Sequence, residues 1–235
     1  MSRKRTRIVA LATTLAAVAT MSVATAPASA SIVVNLEQPM KNWVVSGSLT
    51  PRKLNTPVTL PEGSTFNGSA DVALEIRSRE SQVASGTVTG NVLVPPFTAT
   101  LPLLGLVPTT VGVTFTQVGT AEGTIASAPE ADCAGSRGCV TLSIPTEAEL
   151  GVTEVGLLGI SAPTHCETSE PVTFPLSAHV TLVELLTKGP RFTGTVAIPP
   201  MTCGGLSGLA VGPVLTTLMS GPDNPYTFNI SPPNA

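Results

Sequence analysis

The chain has 235 residues, enough for one or two domains of common size, with 12 basic and 15 acidic residues and a formal net charge of −3. Charged residues make up only 11% and aromatic residues 3%, which leaves no basic stripe for a phosphate backbone and few rings for stacking on bases or sugars. Rich in Val, Thr, Gly and Pro, the composition is that of an all-β protein made of short strands and turns.

Arg3, Lys4, Arg5 and Arg7 open the chain, Ile8 to Val23 is mostly apolar, and Ala28-Ser29-Ala30 has the small-x-small form of a cleavage site. The pattern predicts a secretory signal peptide over residues 1–30, cleaved after about Ala30. The apolar stretch is shorter than the roughly 20 residues of a membrane span and ends in Pro27, which argues against a retained anchor. No cysteine follows the cleavage site, and Lys4 separates Arg3 from Arg5, so neither a lipoprotein nor a twin-arginine leader is expected. Cleavage leaves eight basic residues against fifteen acidic ones, a net charge of −7. Arg52-Lys53 and the pair Arg77 and Arg79 are then the nearest approach to a basic patch, and no nucleic-acid partner is expected.

Beyond the leader, alternating segments predict strands at Ile32–Leu36, Trp43–Leu49, Val72–Ile76, Val88–Val94 and Gly112–Thr116. A second set follows at Val140–Ile144, Val155–Ile160, Val180–Leu186, Phe192–Ile198 and Tyr226–Ile230. Glu147–Leu158 and Leu206–Leu218 are the places where a short helix could intrude. Pro and Gly interrupt every apolar run, so no transmembrane helix is expected in the mature chain.

Thr89–Thr98, Thr-Gly-Asn-Val-Leu-Val-Pro-Pro-Phe-Thr, returns as Thr193–Thr202, Thr-Gly-Thr-Val-Ala-Ile-Pro-Pro-Met-Thr. Each reads as a strand entered through a Thr-Gly turn and stopped by two prolines, which cannot donate to a ladder. Pro57–Pro61 is matched by Pro171–Pro175, Ala70–Leu74 by Ala178–Leu182, and Val113–Thr116 by Tyr226–Asn229, in the same order. The expected architecture is therefore two tandem antiparallel β-sandwich units of immunoglobulin-like size, over 31–130 and 139–235, with a connecting loop at 131–138. The Cys-Trp-Cys hallmark of true immunoglobulin domains is absent.

Four cysteines in an exported chain point to two disulfides. Of the three connectivities, spacing favours Cys133–Cys139, a short loop with two glycines, and Cys166–Cys203, which would tie two ends of the second unit. Cys133 and Cys139 do not form a C-x-x-C pair, and no metal site is expected.

No catalytic or cofactor site is expected either. His165 and His179 read as surface residues, no G-x-S-x-G elbow occurs, and Trp43 and Tyr226 are the single Trp and Tyr available as sugar platforms. Charge is missing over two long stretches, from Glu80 to Glu122 and from Arg191 to Asp223, which hold the two Pro-Pro motifs. Such gaps suit a domain core, the wall of an apolar pocket, or a surface that meets a partner. The run Ser220-Gly221-Pro222-Asp223-Asn224-Pro225-Tyr226 reads as a tight turn feeding the last strand.

Cys166–Pro175, the Thr-Gly-x-Val-x-Ile-Pro-Pro segment with Cys203, and the Leu-Met-Ser-Gly-Pro-Asp-Asn-Pro-Tyr terminus resemble uncharacterised secreted proteins of mycobacteria, streptomycetes and relatives. The resemblance covers mainly residues 165–235. It implies an actinobacterial cell envelope or medium as the setting and transfers no site residue. The expectation is an exported, non-enzymatic binding or structural protein whose partner is an unknown envelope protein or an apolar small molecule. A carrier of a lipid-like ligand, with Val92–Phe115 and Val196–Leu218 lining a cavity, is the alternative. An oligomeric mycomembrane channel is a third reading, and its aromatic girdles are missing.

Overall fold

The computed structural model describes residues 20–21, 32–76, 82–103, 107–157 and 160–233. The leader expected over 1–30 lies outside these residues except for β1 (Thr20–Met21), which pairs with Asn35 and Val34 of β2 (Ile32–Leu49). Then come β3 (Val58–Thr59), β4 (Thr65–Ile76), β5 (Gln82–Leu93), β6 (Phe97–Leu103), β7 (Val107–Val118) and β8 (Ala121–Ser127). β9 (Cys139–Leu157), β10 (Ile160–Thr168) and β11 (Val172–Thr181) precede helix α1 (Leu182–Thr187). β12 (Arg191–Ile198), β13 (Met201–Gly204), helix α2 (Gly205–Met219) and β14 (Gly221–Ser231) complete the order. The protein is all-β, and its strands join into one antiparallel sheet of 14.

β9 organises that sheet because it runs unbroken across two hydrophobic cores. Its first half, Cys139 to Ala148, lies between β8 and β11, and its second half, Glu147 to Leu157, between β7 and β10. The neighbouring strands make the same passage in two pieces. β5 passes into β6 at Pro95-Pro96, β7 into β8 at Gly119-Thr120, β10 into β11 at Ser169–Pro171, and β12 into β13 at Pro199-Pro200. Proline, lacking an N–H, ends one ladder and lets the chain turn into the next.

In the first region the order is β12-β14-β2-β4-β5-β8-β9, with β11 on the far side of β9. The sheet curls until β11 lies against β12, and the Tyr226 hydroxyl donates to the Pro175 carbonyl at 2.9 Å across that closure. The interior is filled by side chains, among them the fully buried Phe66, Phe174 and Phe192. Phe115, Phe174, Tyr226 and Phe228 form one aromatic cluster with ring centroids 5.3–5.8 Å apart. The second region is the order β6-β7-β9-β10-β13, covered by α2.

The tandem arrangement is not confirmed. β14, from the second half, pairs with β2, and β8 of the first half pairs with β9, so the sheet passes straight through the boundary expected at 131–138. Of the four internal matches, only the Pro-Pro segments occupy like positions, on the two outer strands of the five-strand meander spanning 82–204. The Thr-Gly of that motif is not a turn. Gly90 and Gly194 lie inside β5 and β12, and each accepts an aromatic ring: a Cβ on Gly90 would stand 2.3 Å from Phe66 Cζ, and one on Gly194 would stand 2.7 Å from Tyr226 Oη. The motif therefore repeats a packing requirement, a bare backbone beneath a ring, in two strands of one sheet.

Two local expectations are corrected. The helix considered over 147–158 is the strand β9, whose buried Ala148, Leu150 and Val152 keep strand alternation. The strand expected over 180–186 ends at Thr181, where a capping box starts α1: the Thr181 hydroxyl accepts from the Glu184 N–H and the Glu184 carboxylate accepts from the Thr181 N–H. The helix expected over 206–218 is α2.

Substituting Gly90 or Gly194 by Ala forces a ring off its seat, with an expected loss of about 1–3 kcal/mol and a melting temperature lower by roughly 2–12 °C. Gly204→Ala, at an extended residue with open space around its Cβ, is the control that leaves melting nearly unchanged. Burial raises the pKa of Tyr226 above its ordinary value of 10.0. Above about pH 10 the unfolded chain loses a proton that the folded chain keeps, so this contribution to stability is whole below that pH and lost above it. Tyr226 is the single tyrosine. Tyrosinate absorbance should therefore titrate at higher pH in the folded than in the urea-unfolded protein.

Candidate functional site: an apolar cavity beneath a helix

α2 carries no charged residue, and its buried positions Gly212, Leu215 and Met219 recur at helical spacing on one face. That face packs on the second core with Val111, Val113, Val152 and Met201. Two hydrogen-bonded attachments hold it there. Thr216 Oγ1 accepts from the Met201 N–H at 3.0 Å and donates to the Met201 carbonyl at 3.2 Å. Because β13 pairs with β10 alone, this side chain caps part of an otherwise open strand edge. At the end of the helix Ser220 Oγ donates to the Pro199 carbonyl at 2.7 Å, which fastens α2 to the second proline pair.

Cys166 and Cys203 are directly opposed on β10 and β13 and form a disulfide. α2 approaches it through Gly212, where a Cβ would stand 3.1 Å from Cys203 Sγ. Cys133 bonds to Cys139 and closes the loop that enters β9. Both pairings are those the spacing favoured, and Ala99 stands in β6 at the place in the repeated motif that Cys203 takes in β13.

Between α2 and the sheet lies a cavity of about 160 Å³. Leu101, Thr109, Val111 and Val155 form its floor, Leu54 one wall, and Val211, Val214, Leu215, Leu218 and Met219 its roof. Thr109 is the one polar side chain among them. The floor residues on β6 and β7 come from the first charge-free stretch and the roof from the second, so the two gaps meet face to face. Val214, 44% exposed, and the half-buried Val211 and Leu218 mark the open side. A larger hollow of about 470 Å³ lies over the outer face of β2, β4 and β5. It is a wide groove bordered by Asn35, Glu37, Asp71, Ser85 and Thr87, and no buried polar group faces it.

The remaining candidates are not gathered into a site. His179 Nδ1 lies 3.2 Å from Thr141 Oγ1 and 3.9 Å from an Asp132 carboxylate oxygen, exposed, while His165 is exposed on β10. Among the described residues no group of three His, Cys, Asp or Glu side chains could hold a metal ion. Trp43 and Tyr226 are both buried in the first core and offer no platform to a sugar. The run expected to be a tight turn before the last strand lies in β14 from Gly221 on, and its buried Asn224 donates to the Val196 and Gly221 carbonyls and accepts from the Arg52 N–H, which is structural work. No helix among the described residues is long and apolar enough to cross a membrane.

Comparison with protein-family models, with curated proteins and with solved structures finds no match.

Removal of the Cys166–Cys203 bond by the double change Cys166→Ala and Cys203→Ala opens a loop spanning 37 positions. The chain-entropy relation puts the loss at about 4 kcal/mol. Urea unfolding of the variant should show it as a shifted midpoint.

Proposed function

We propose that the protein is an exported, non-enzymatic binder of an apolar small molecule, acting in the cell envelope or the medium, with the cavity beneath α2 as its site. The observation that carries this reading is the meeting of the two charge-free stretches across that cavity. An all-core explanation of those stretches would leave the space between them filled. Burial of an apolar group removes it from water at about 25 cal/mol per Å², and a nearly unbroken apolar lining gives such a group no competitor from ordered water. The volume is of the order of the roughly 150 Å³ that accepts a benzene-sized molecule, so it takes the end of a hydrocarbon chain or one ring rather than a whole lipid.

Export is supported by the basic-apolar-small pattern of residues 1–30 and by two disulfides, which persist in oxidising surroundings. An actinobacterial envelope is part of the proposal and rests on the resemblance over residues 165–235.

Native mass spectrometry of the mature protein, taken from culture medium before any delipidation, tests the reading. The expected result is a non-covalent adduct lost on denaturation. Val111→Phe, which fills the floor of the cavity, should abolish the adduct and the binding of an apolar fluorescent dye while leaving thermal stability equal or higher. A bare mass together with dye binding that survives Val111→Phe would refute the assignment.

A further inference from the structure

β2 leaves part of one edge open. From Ile32 to Met40 it pairs with β4 on one side. On the other side β14 stops at Ser231, opposite Val44 and ahead of Pro232 and Pro233. The unpaired N–H and C=O groups of such an edge template pairing with another chain unless proline, a bulge or a covering element protects them. Beyond Glu37 all three devices are present: Pro39, the irregularity between Met40 and Trp43, and α1, whose Leu185 and Leu186 line a small cavity with Gln38 and Met40. Elsewhere β6 runs between Pro96 and Pro102, and Thr216 caps β13. Ile32–Leu36 has no proline, no bulge and no charge, and its Ile32 and Val33 are 56% and 39% exposed.

β1 is a strand already seated on this edge. It pairs antiparallel with Asn35 and Val34, and it belongs to the leader expected over residues 1–30. Cleavage after about Ala30 removes β1 and starts the mature chain one residue before Ile32. The edge is then free where the leader strand sat.

The free edge is complementary to itself. In an antiparallel pair about a two-fold axis at Val34, Ile32 stands opposite Leu36 of the second copy and Val34 opposite its own counterpart, so apolar residues meet on one face. On the other face Val33 stands opposite Asn35. Glu37, the first charge along the strand, meets the new amino terminus of the second copy, where cleavage has created an ammonium. The surplus of acidic residues opposes association, and this register sets opposite charges at the contact rather than like ones.

Resting on the export reading above but not on the cavity, we propose that the mature protein dimerises by pairing β2 with β2 of a second copy over Ile32–Glu37, and that the leader strand β1 blocks this contact until it is cleaved. So short a ladder buries less than the roughly 800 Å² per partner of a standard interface, and the dimer is a weak one.

Sedimentation velocity of the disulfide-intact mature protein, from about 1 μM to about 1 mM, covers the range of weak complexes. The weight-average mass should rise toward twice that of the chain. The double change Val33→Lys and Asn35→Lys, at two exposed positions, sets lysine opposite lysine in both outer pairs of this register. It should weaken the dimer by about tenfold or more and leave the melting temperature of the dilute protein nearly unchanged. A chain begun at Ala19, which keeps β1, should stay a monomer. A mature protein that is monomeric at every concentration overturns the proposal. A dimer that tolerates the two lysines overturns the contact, and a dimer equally stable in the chain begun at Ala19 overturns the role of the leader. The intact mass of the exported chain reports the cleavage separately, and none of these outcomes bears on the ligand site.

Discussion

Every other strand of the meander is broken where the protein passes from one core to the other, and β9 is not. Nineteen residues of continuous strand carry hydrogen-bonding partners on both sides in both regions, so β9 sets the relative position of the curled sheet and the helix-covered one. Val140, Leu142 and Ile144 face the first core, Val152 and Val155 the second. Within the second part the register shifts opposite Gly112 and Val113, with Thr153 as the extra residue, so that Val152 and Val155 both face the second core. Were β9 also broken there, no strand would run continuously from one region to the other.

The crossings themselves obey a simple chemistry. Proline pairs stop the ladders of β5 and β12, the outer strands of the meander, and inner strands cross at a glycine or at a short polar segment. A few residues before each proline pair the chain places a glycine under an aromatic ring from a neighbouring strand. The bare backbone lets Phe66 and Tyr226 lie flat on the sheet and so fills an interior that is poor in aromatic residues. Tyr226 does this while its hydroxyl satisfies a carbonyl on β11, which closes the curl without a full ladder between β11 and β12.

α2 solves a different problem. The second sheet has one exposed face and an edge strand of four residues, and the helix covers both, anchored by Thr216, by Ser220 and beside the Cys166–Cys203 bond. Its Gly212 comes close to β13 and its Leu215 and Met219 join the core that holds Val111, and the cavity is the space left between helix and sheet. The cavity and the shape of the second core are therefore consequences of one packing arrangement.

Much of this was legible in residue order. Alternation picks out β2, β4, β5, β7, β9, β12 and β14 but not β6, β8, β11 or β13; of the two runs that could hold a helix only 206–218 does; the spacing of four cysteines favours the observed pairs; and the two uncharged stretches fit core, pocket wall or partner surface alike. These follow from local rules: period two, helical runs without strand alternation, and the exclusion of charge from apolar surroundings. The sequence by itself determined an all-β chain with two disulfides. Only the tertiary structure decided that the two halves share one sheet, that Thr-Gly marks a seat for a ring rather than a turn, and that 180–186 turns helical at Thr181. Strand partners far apart in the chain leave no local trace: Phe66 lies 24 positions before Gly90, and Tyr226 lies 32 positions after Gly194. A motif can repeat because two strands meet the same packing demand, and from order alone that is indistinguishable from a repeated domain.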